Sequence, residues 1–370
     1  MKKIKYTKSL SAGKNNNAIA FVGGKSGGHI IPALTLAQQE VKNNKTTHIL
    51  FFSTSSALDK KIISTSAIAP THIPLPITPV NVKNPLQLIW CCLSFILAFF
   101  KSLYHLKKFR AQRVISMGGL VSLPVCFAAK LLRIPISIYE LNAVPGKAVT
   151  LLAKTGADIY TCFKKTAQFF PKNKCLFSAY PIRYSANTLK IGKQKALKEI
   201  GLSPNKPTIL ILGGSQGSIF INTLIKQWIV SQPEQVKNVQ IIHQTGSYDT
   251  TDWNIFYATH GISAHSFTYQ DNLGIYYQAA DIIICRSGAG TLFESIFFKK
   301  FIITIPLQSS ATTNHQVDNA NAFKKQYPHL IWVMNQKMLK KFPEELFGVL
   351  NSLLDIQYAS HTTQKNKKTF

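Results

Sequence analysis

The chain reads as an α/β protein built from two doubly wound halves that face each other across a cleft. Three observations predict this. Short β-branched apolar runs recur at one-helix spacing, as in Asp281-Ile282-Ile283-Ile284-Cys285 and Phe301–Pro306. Several of these runs break into Gly-rich turns that open a helix: Gly23–His29, Met117–Pro124, Gly213–Gly217 and Arg286–Thr291. The length, 370 residues, suits two ordinary domains rather than one. Strand, Gly-rich turn and helix in succession make a βα unit. Such units place backbone N–H groups and helix N-termini at the carboxyl edge of a parallel sheet, where anionic ligands bind.

In chain order, Ala18–Val22 is the first strand and Ile30–Lys42 a helix, with Pro32 tolerated near its start. Gly24-Lys25-Ser26 imitates the end of a phosphate-binding P-loop, but that motif needs glycine five positions earlier, where Ile19 stands. His48–Ser53 is a strand, and Thr71–Asn84 reads as a Pro-rich loop. Leu86–Phe100 is apolar nearly all round and is trailed by Lys101, Lys107, Lys108 and Arg110. A membrane-spanning helix needs ~20 apolar residues, and this run falls short. It reads as a helix with one face packed inward and the other on a bilayer interface, with Trp90, Phe95, Phe99 and Lys101 as the candidate membrane contacts. Further strands are Arg113–Ser116 and Ile134–Tyr139, the second leading to Glu140-Leu141-Asn142; Asn142 either faces the cleft or closes an Asx-turn.

Composition turns polar and Lys-rich after Arg183, which places the domains at 18–183 and 184–358, with 1–17 and 359–370 as flexible tails. The second domain contains the strands Thr208–Leu212 and Val239–Gln244. A last helix near Pro343–Leu354 is expected to pack back on the first domain.

An apolar fraction of 46% supplies a core, and a formal charge of +28 calls for an anionic partner. The lysines are scattered and not interleaved with aromatics in one stripe, which argues against nucleic acid. The six cysteines form no CxxC pair and read as reduced thiols. No carboxylate cluster suggests a metal, and no cofactor is expected. Glu294, on the first turns of its helix, can accept hydrogen bonds from a ribose diol or simply sit well in the helix dipole. His29 is a general-base candidate, because an imidazole is largely neutral at cell pH. Arg286 and His315 are open between structural and functional roles.

Seven motifs taken together resemble the MurG family of peptidoglycan N-acetylglucosaminyltransferases, two-domain enzymes of the GT-B type. They are Gly24–His29, Met117–Pro124, Glu140–Asn142, Tyr180–Arg183, Gly213–Gly217, Arg286–Glu294 and His315–Ala320, in family order. The chain departs from the family pattern at Lys25, Ser26, Leu141 and Ile219, and at Tyr180, where the family has asparagine. The resemblance implies transfer of N-acetylglucosamine from UDP-GlcNAc to the C4 hydroxyl of undecaprenyl-pyrophosphoryl-N-acetylmuramyl-pentapeptide (lipid I), with inversion, giving lipid II. By matching positions Glu294 would hold the ribose and Gln270 would meet uracil through its backbone. Ser215, Arg183 and the turn Ala289, Gly290, Thr291 would lie by the diphosphate, Gln316 and Asn142 by the sugar, and Gln216 would also bind UDP-GlcNAc. His29 would act as base or bind acceptor pyrophosphate, beside Ser26, Gly27 and Gly28. The resemblance further implies a peripheral position on the cytoplasmic face of the cell membrane, on its anionic leaflet, with other cell-wall enzymes as partners. The alternatives are another GT-B enzyme with a different lipid acceptor and a degenerate sugar-nucleotide-binding protein.

Overall fold

A computed structural model describes residues 18–24, 27–77, 85–214, 216–308 and 314–366. Two parallel sheets organise the described residues. The first is 7-stranded in the order β3-β2-β1-β4-β5-β6-β7. Its strands are β1 Ala18–Val22, β2 His48–Thr54, β3 Thr71–Leu75, β4 Ala111–Ser116, β5 Ile136–Glu140, β6 Asp158–Thr161 and β7 Cys175–Phe177. The second is 6-stranded in the order β10-β9-β8-β11-β12-β13. It comprises β8 Thr208–Leu212, β9 Gln240–Gln244, β10 Ser263–Phe267, β11 Ile282–Cys285, β12 Phe301–Thr304 and β13 Ile331–Val333. In each sheet the order reverses beside the first strand, β1 or β8, so a crevice opens at the carboxyl ends of β1 and β4 and of β8 and β11. This is the GT-B architecture.

The physical reason is legible strand by strand. Central strands such as β8 and β11 are buried along their whole length and read as unbroken apolar runs, as parallel strands covered on both faces must. Their register is in step: Ile282 pairs Ile209 on one side and Phe301 on the other.

Several expectations need correction. Thr71–Leu75 is a strand, not loop: Ile73 and Leu75 point into the core, and Pro74 is tolerated because β3 is the sheet edge. Residues 78–84 of the same stretch lie outside the described residues. The last helix runs Glu344–Asn366, because no glycine or proline interrupts it after Gly348. Its Leu346, Phe347, Leu350 and Leu354 enter a core with Trp228 and Ile241, so this stretch packs on the second domain rather than the first. The apolar helix is also longer than its hydropathy suggested. It spans Pro85–Lys108, and its Gln87–Lys108 part, 22 residues with an 18-residue stretch of mean hydropathy 1.6, is long and apolar enough to cross a bilayer.

That helix nevertheless docks along one face. Ala98, Ser102 and Leu106 are buried, and Phe95 packs edge-on against Phe127 of the Ser122–Leu131 helix at 6.4 Å. The opposite stripe, Ile89, Leu93, Ile96, Leu97, Phe100 and Tyr104, is exposed. Among the four expected membrane contacts only Trp90 lies on the outer side, 68% exposed. Phe95 and Phe99 turn inward onto the first core. Lys101 donates from Nζ to the Pro74 carbonyl at 2.8 Å, so its ammonium is spent on β3. A run apolar on all sides does not reveal which stripe faces out; packing does.

Candidate functional site

The first half of the cleft is built where β1 and β4 end. Gly23 leaves β1 with its N–H bonded to the Phe52 carbonyl, and the Gly27–Asn43 helix begins four residues later. A Cβ on Gly23 would lie 2.9 Å from the His29 carbonyl, so only glycine lets strand and helix approach this closely. His29 sits in the first turns of that helix, half-buried, with Nδ1 3.5 Å from the Gly24 carbonyl. Because that carbonyl can only accept, the contact favours the tautomer with the proton on Nδ1 and leaves Nε2 as an acceptor. The turn after β4 comes up beside it: a Cβ on Gly119 would lie 3.6 Å from His29 Nδ1. Burial lowers the imidazole pKa, the Gly24 contact opposes this, and His315 on the second domain lowers it further. Burial therefore favours the neutral ring, and His315 of the other half is close enough to act on it. Gly27 and Gly28 open the helix, while Ser26 lies outside the described residues.

The second half holds a cavity of about 530 Å³ at the carboxyl ends of β8, β9, β11 and β12. Gly213, Gly214, Gln216 and Gly217, with Arg286, Gly288, Thr291 and Gln316, line it. Of the expected donor-site residues, Gln216, Thr291 and Gln316 meet there; Ser215 lies outside the described residues. Two helices point their N-termini at this space: Ile219–Ser231, capped by Ser218, and Ala289–Phe297, whose cap Gly288 has no side chain to satisfy the first amides. Gln316 accepts from the Leu307 amide through Oε1 at 2.8 Å, which fixes its side chain.

Arg286, left open by the sequence, is the cation of this cavity. Its guanidinium donates to the Ile305 carbonyl at 3.0 Å, to Gln336 Oε1 at 2.6 Å and to Ser218 Oγ at 2.8 Å. It is buried, and among the described residues no carboxylate pairs with it. Burial brings its pKa down to about 10, still a cation at neutral pH. A buried guanidinium with only neutral partners, beside two helix N-termini, is built to receive an anion.

Glu294 and Arg183 are not among the residues that line this cavity. They are paired with each other: Arg183 Nε to Glu294 Oε1 at 3.0 Å and a second N–H to Oε2 at 3.4 Å. Arg183 also donates to the Asp271 carbonyl. Arg183, expected by the diphosphate, grips the Glu294 carboxylate in this structure. Gln270 is exposed next to Asp271. Ala289 is buried, and Gly290 is closed on one side by the Tyr180 hydroxyl.

The halves are joined by amides. Glu140, at the end of β5, accepts from the Asn142 N–H at 2.8 Å, the Asn142 side chain at 3.1 Å and the Gly146 N–H at 3.1 Å. Asn142 in turn accepts from Asn319 Nδ2 at 3.2 Å, and Asn319 Oδ1 accepts from the Ala143 N–H at 2.9 Å. Asn142 is therefore an interdomain link. Asn319 stands inside the His315–Ala320 motif, but its role could not be read there because its partners are 177 positions away.

Two doubly wound domains, the second with helix N-termini and a buried arginine around one cavity and the first with a histidine where its opening helix begins, define a nucleotide-sugar transferase of the GT-B class. The glycosyltransferase family 28 N-terminal domain matches residues 19–161, and the family's C-terminal domain matches residues 208–370. A UDP-N-acetylglucosamine–N-acetylmuramyl-(pentapeptide) pyrophosphoryl-undecaprenol N-acetylglucosamine transferase of Protochlamydia amoebophila is 34% identical over 81% of this chain and 78% of its own. The protein of the same name from Bacillus pumilus is 31% identical over 83% of each chain. The crystal structure of Acinetobacter baumannii MurG superposes with a TM-score of 0.66 at 22% identity, over 93% of this chain and 92% of that one. The chain belongs to glycosyltransferase family 28, among the enzymes that carry that transferase name.

Proposed function

We infer that this chain transfers N-acetylglucosamine from UDP-GlcNAc to the C4 hydroxyl of lipid I, with inversion, forming lipid II for peptidoglycan. The likeness to transferases of that name over four-fifths of the chain carries the reading. In a single displacement the acceptor oxygen forms its bond to C1 of the sugar as the C1–O bond to the diphosphate breaks. The UDP leaves with that electron pair, and the acceptor proton goes to a base. His29 suits the base: its Nε2 accepts, and its lowered pKa keeps it neutral. A cationic grip on the acceptor pyrophosphate would need the opposite shift. A positioned base contributes ~10²–10⁴-fold.

The leaving diphosphate is met by the amides at the start of Ala289–Phe297, by the Gly213–Gly217 turn and by Arg286. Glu294, held by Arg183, receives the ribose hydroxyls, and the backbone at Gln270 receives the uracil. Gln316 and Asn142 orient the sugar. Placement at the cytoplasmic face of the cell membrane is supported by the exposed stripe of the Pro85–Lys108 helix and by the exposed Lys107, Lys108 and Arg110 beside it. Contacts with other cell-wall enzymes complete the reading.

Radiolabelled UDP-GlcNAc with a lipid I analogue tests it. The expected result is label in a lipid II analogue. Binding of UDP with no transfer would instead favour a degenerate sugar-nucleotide-binding protein, and transfer to other lipids alone a different GT-B enzyme.

A further inference from the structure

We propose that the Tyr180 hydroxyl is a hydrogen-bond donor to the diphosphate of the sugar nucleotide, at the first turn of the Ala289–Phe297 helix. The inference rests on the reading that the donor binds at that turn. The ring of Tyr180 is fixed. It stacks on Phe293 of this helix with centroids 4.6 Å apart and planes at 19°, and Phe293 is itself walled by Phe163 and Phe323. With only 8% of the residue exposed, the side chain has one position to occupy.

The hydroxyl is carried to Gly290. A Cβ built there would lie 3.0 Å from Tyr180 Oη, tight enough that one of the two would have to give. Tyr180 and Gly290 thus fit as a pair, the phenol taking the room a side chain at 290 would fill. Although the residue is nine-tenths buried, its hydroxyl forms no hydrogen bond with any described residue. The oxygen is not fully enclosed, so it is open from outside the fold, and an unpartnered donor held there at a helix start is placed to meet a ligand. The cap residue Gly288 offers no side chain to the amides of this turn, so they too are open to an anion. Burial, then Glu294, hold the phenol pKa well above its ordinary value, so the group remains a donor at any working pH. An asparagine, the residue of the family pattern at this position, is too short to reach the same place from this backbone while also stacking on Phe293.

Calorimetric titration of the full chain with UDP and with uridine tests this. Tyr180→Phe keeps the stacked ring, so its melting temperature should stay near that of the parent. It should weaken UDP about 10-fold, the loss expected for one hydrogen bond to a charged group, and leave uridine unchanged. Gly290→Ala should cost more UDP affinity in the parent than in the Tyr180→Phe background, where the crowded oxygen is gone. Equal UDP affinity in Tyr180→Phe and the parent overturns the proposal. If Glu294→Ala loses UDP while Tyr180→Phe does not, the donor site stands and the hydroxyl contact falls. If neither variant changes UDP binding, both fall.

Discussion

Arg183 and Glu294 grip each other through two N–H···O contacts, the shorter of 3.0 Å, and so tie the segment between the domains to the helix of the donor site. Burial raises the Glu294 pKa, and Arg183 opposes that rise. Arg183→Met removes the opposing cation and leaves a buried carboxylate alone. The variant should lose on the order of 3 kcal/mol of stability, read from denaturant unfolding. Its Glu294 pKa should rise further, so its donor KM should worsen as pH is lowered and recover as pH is raised, more steeply than in the parent. Glu294→Ala should raise donor KM at every pH. An unaltered KM in Glu294→Ala removes the ribose role.

Glu140 lies under the interdomain amides, and burial pushes its pKa up to about 7 against the hydrogen bonds it accepts. For an acid, a raised folded pKa means stability present below the unfolded value and lost as pH climbs through the folded one. Glu140 should therefore cost stability progressively between about pH 4.5 and 7. Glu140→Gln cannot ionise and keeps one acceptor for Asn142. The difference in Tm between parent and variant should move in the variant's favour across that window. A difference that stays flat with pH would show that the carboxylate does not titrate there.

His29 makes a kinetic prediction. With its pKa below the ordinary 6.5, chiefly through burial, it is more than half neutral at pH 6.5 and increasingly so above. The acid limb of kcat should therefore fall below pH 6.5, with a plateau on the alkaline side of it. His29→Ala should cut kcat by ~10²–10⁴ while UDP affinity, read by calorimetry, stays near that of the parent. A fully active variant removes His29 as base.

How far the sequence could carry these readings depended on distance along the chain. Strands such as Thr208–Leu212 and Ile282–Cys285 were legible because burial on both faces demands an apolar run, and composition records that locally. The Gly-rich turns were legible because tight strand-to-helix turns need glycine, as the clash at Gly23 shows. Strand Thr71–Leu75 was not, since edge position excuses the proline that argued against it. The pairings that give Arg183, Asn142 and Tyr180 their surroundings were also hidden. They join residues more than 100 positions apart, and nothing in a motif states whether a carboxylate will meet a ribose or an arginine first. Arg286 could have been singled out: an arginine directly after a buried strand and before a Gly-rich turn must bury part of its stem, and its head must then find partners at the carboxyl edge.

The Pro85–Lys108 helix separates two kinds of aromatic residue on one element. Phe95 and Phe99 pack, partly buried, against the first core, so Phe95→Ser and Phe99→Ser should each destabilise by about 1–3 kcal/mol. Trp90, Ile96, Leu97 and Phe100 face outward, and their exposure means that the folded domain gains little from them. Burying such side chains in an apolar phase is worth ~1.5–3 kcal/mol each, so partial insertion of four of them into a bilayer surface outweighs any loss of folding stability on their removal. Changing all four to serine should leave Tm near that of the parent. It should reduce binding to vesicles containing anionic lipid by at least about 100-fold in sedimentation. The remaining binding should weaken with salt, because Lys107, Lys108 and Arg110 would then carry it alone. Vesicle binding that survives the four changes undiminished would mean that this stripe is not the surface that meets lipid, and the cationic excess would have to be placed on another face.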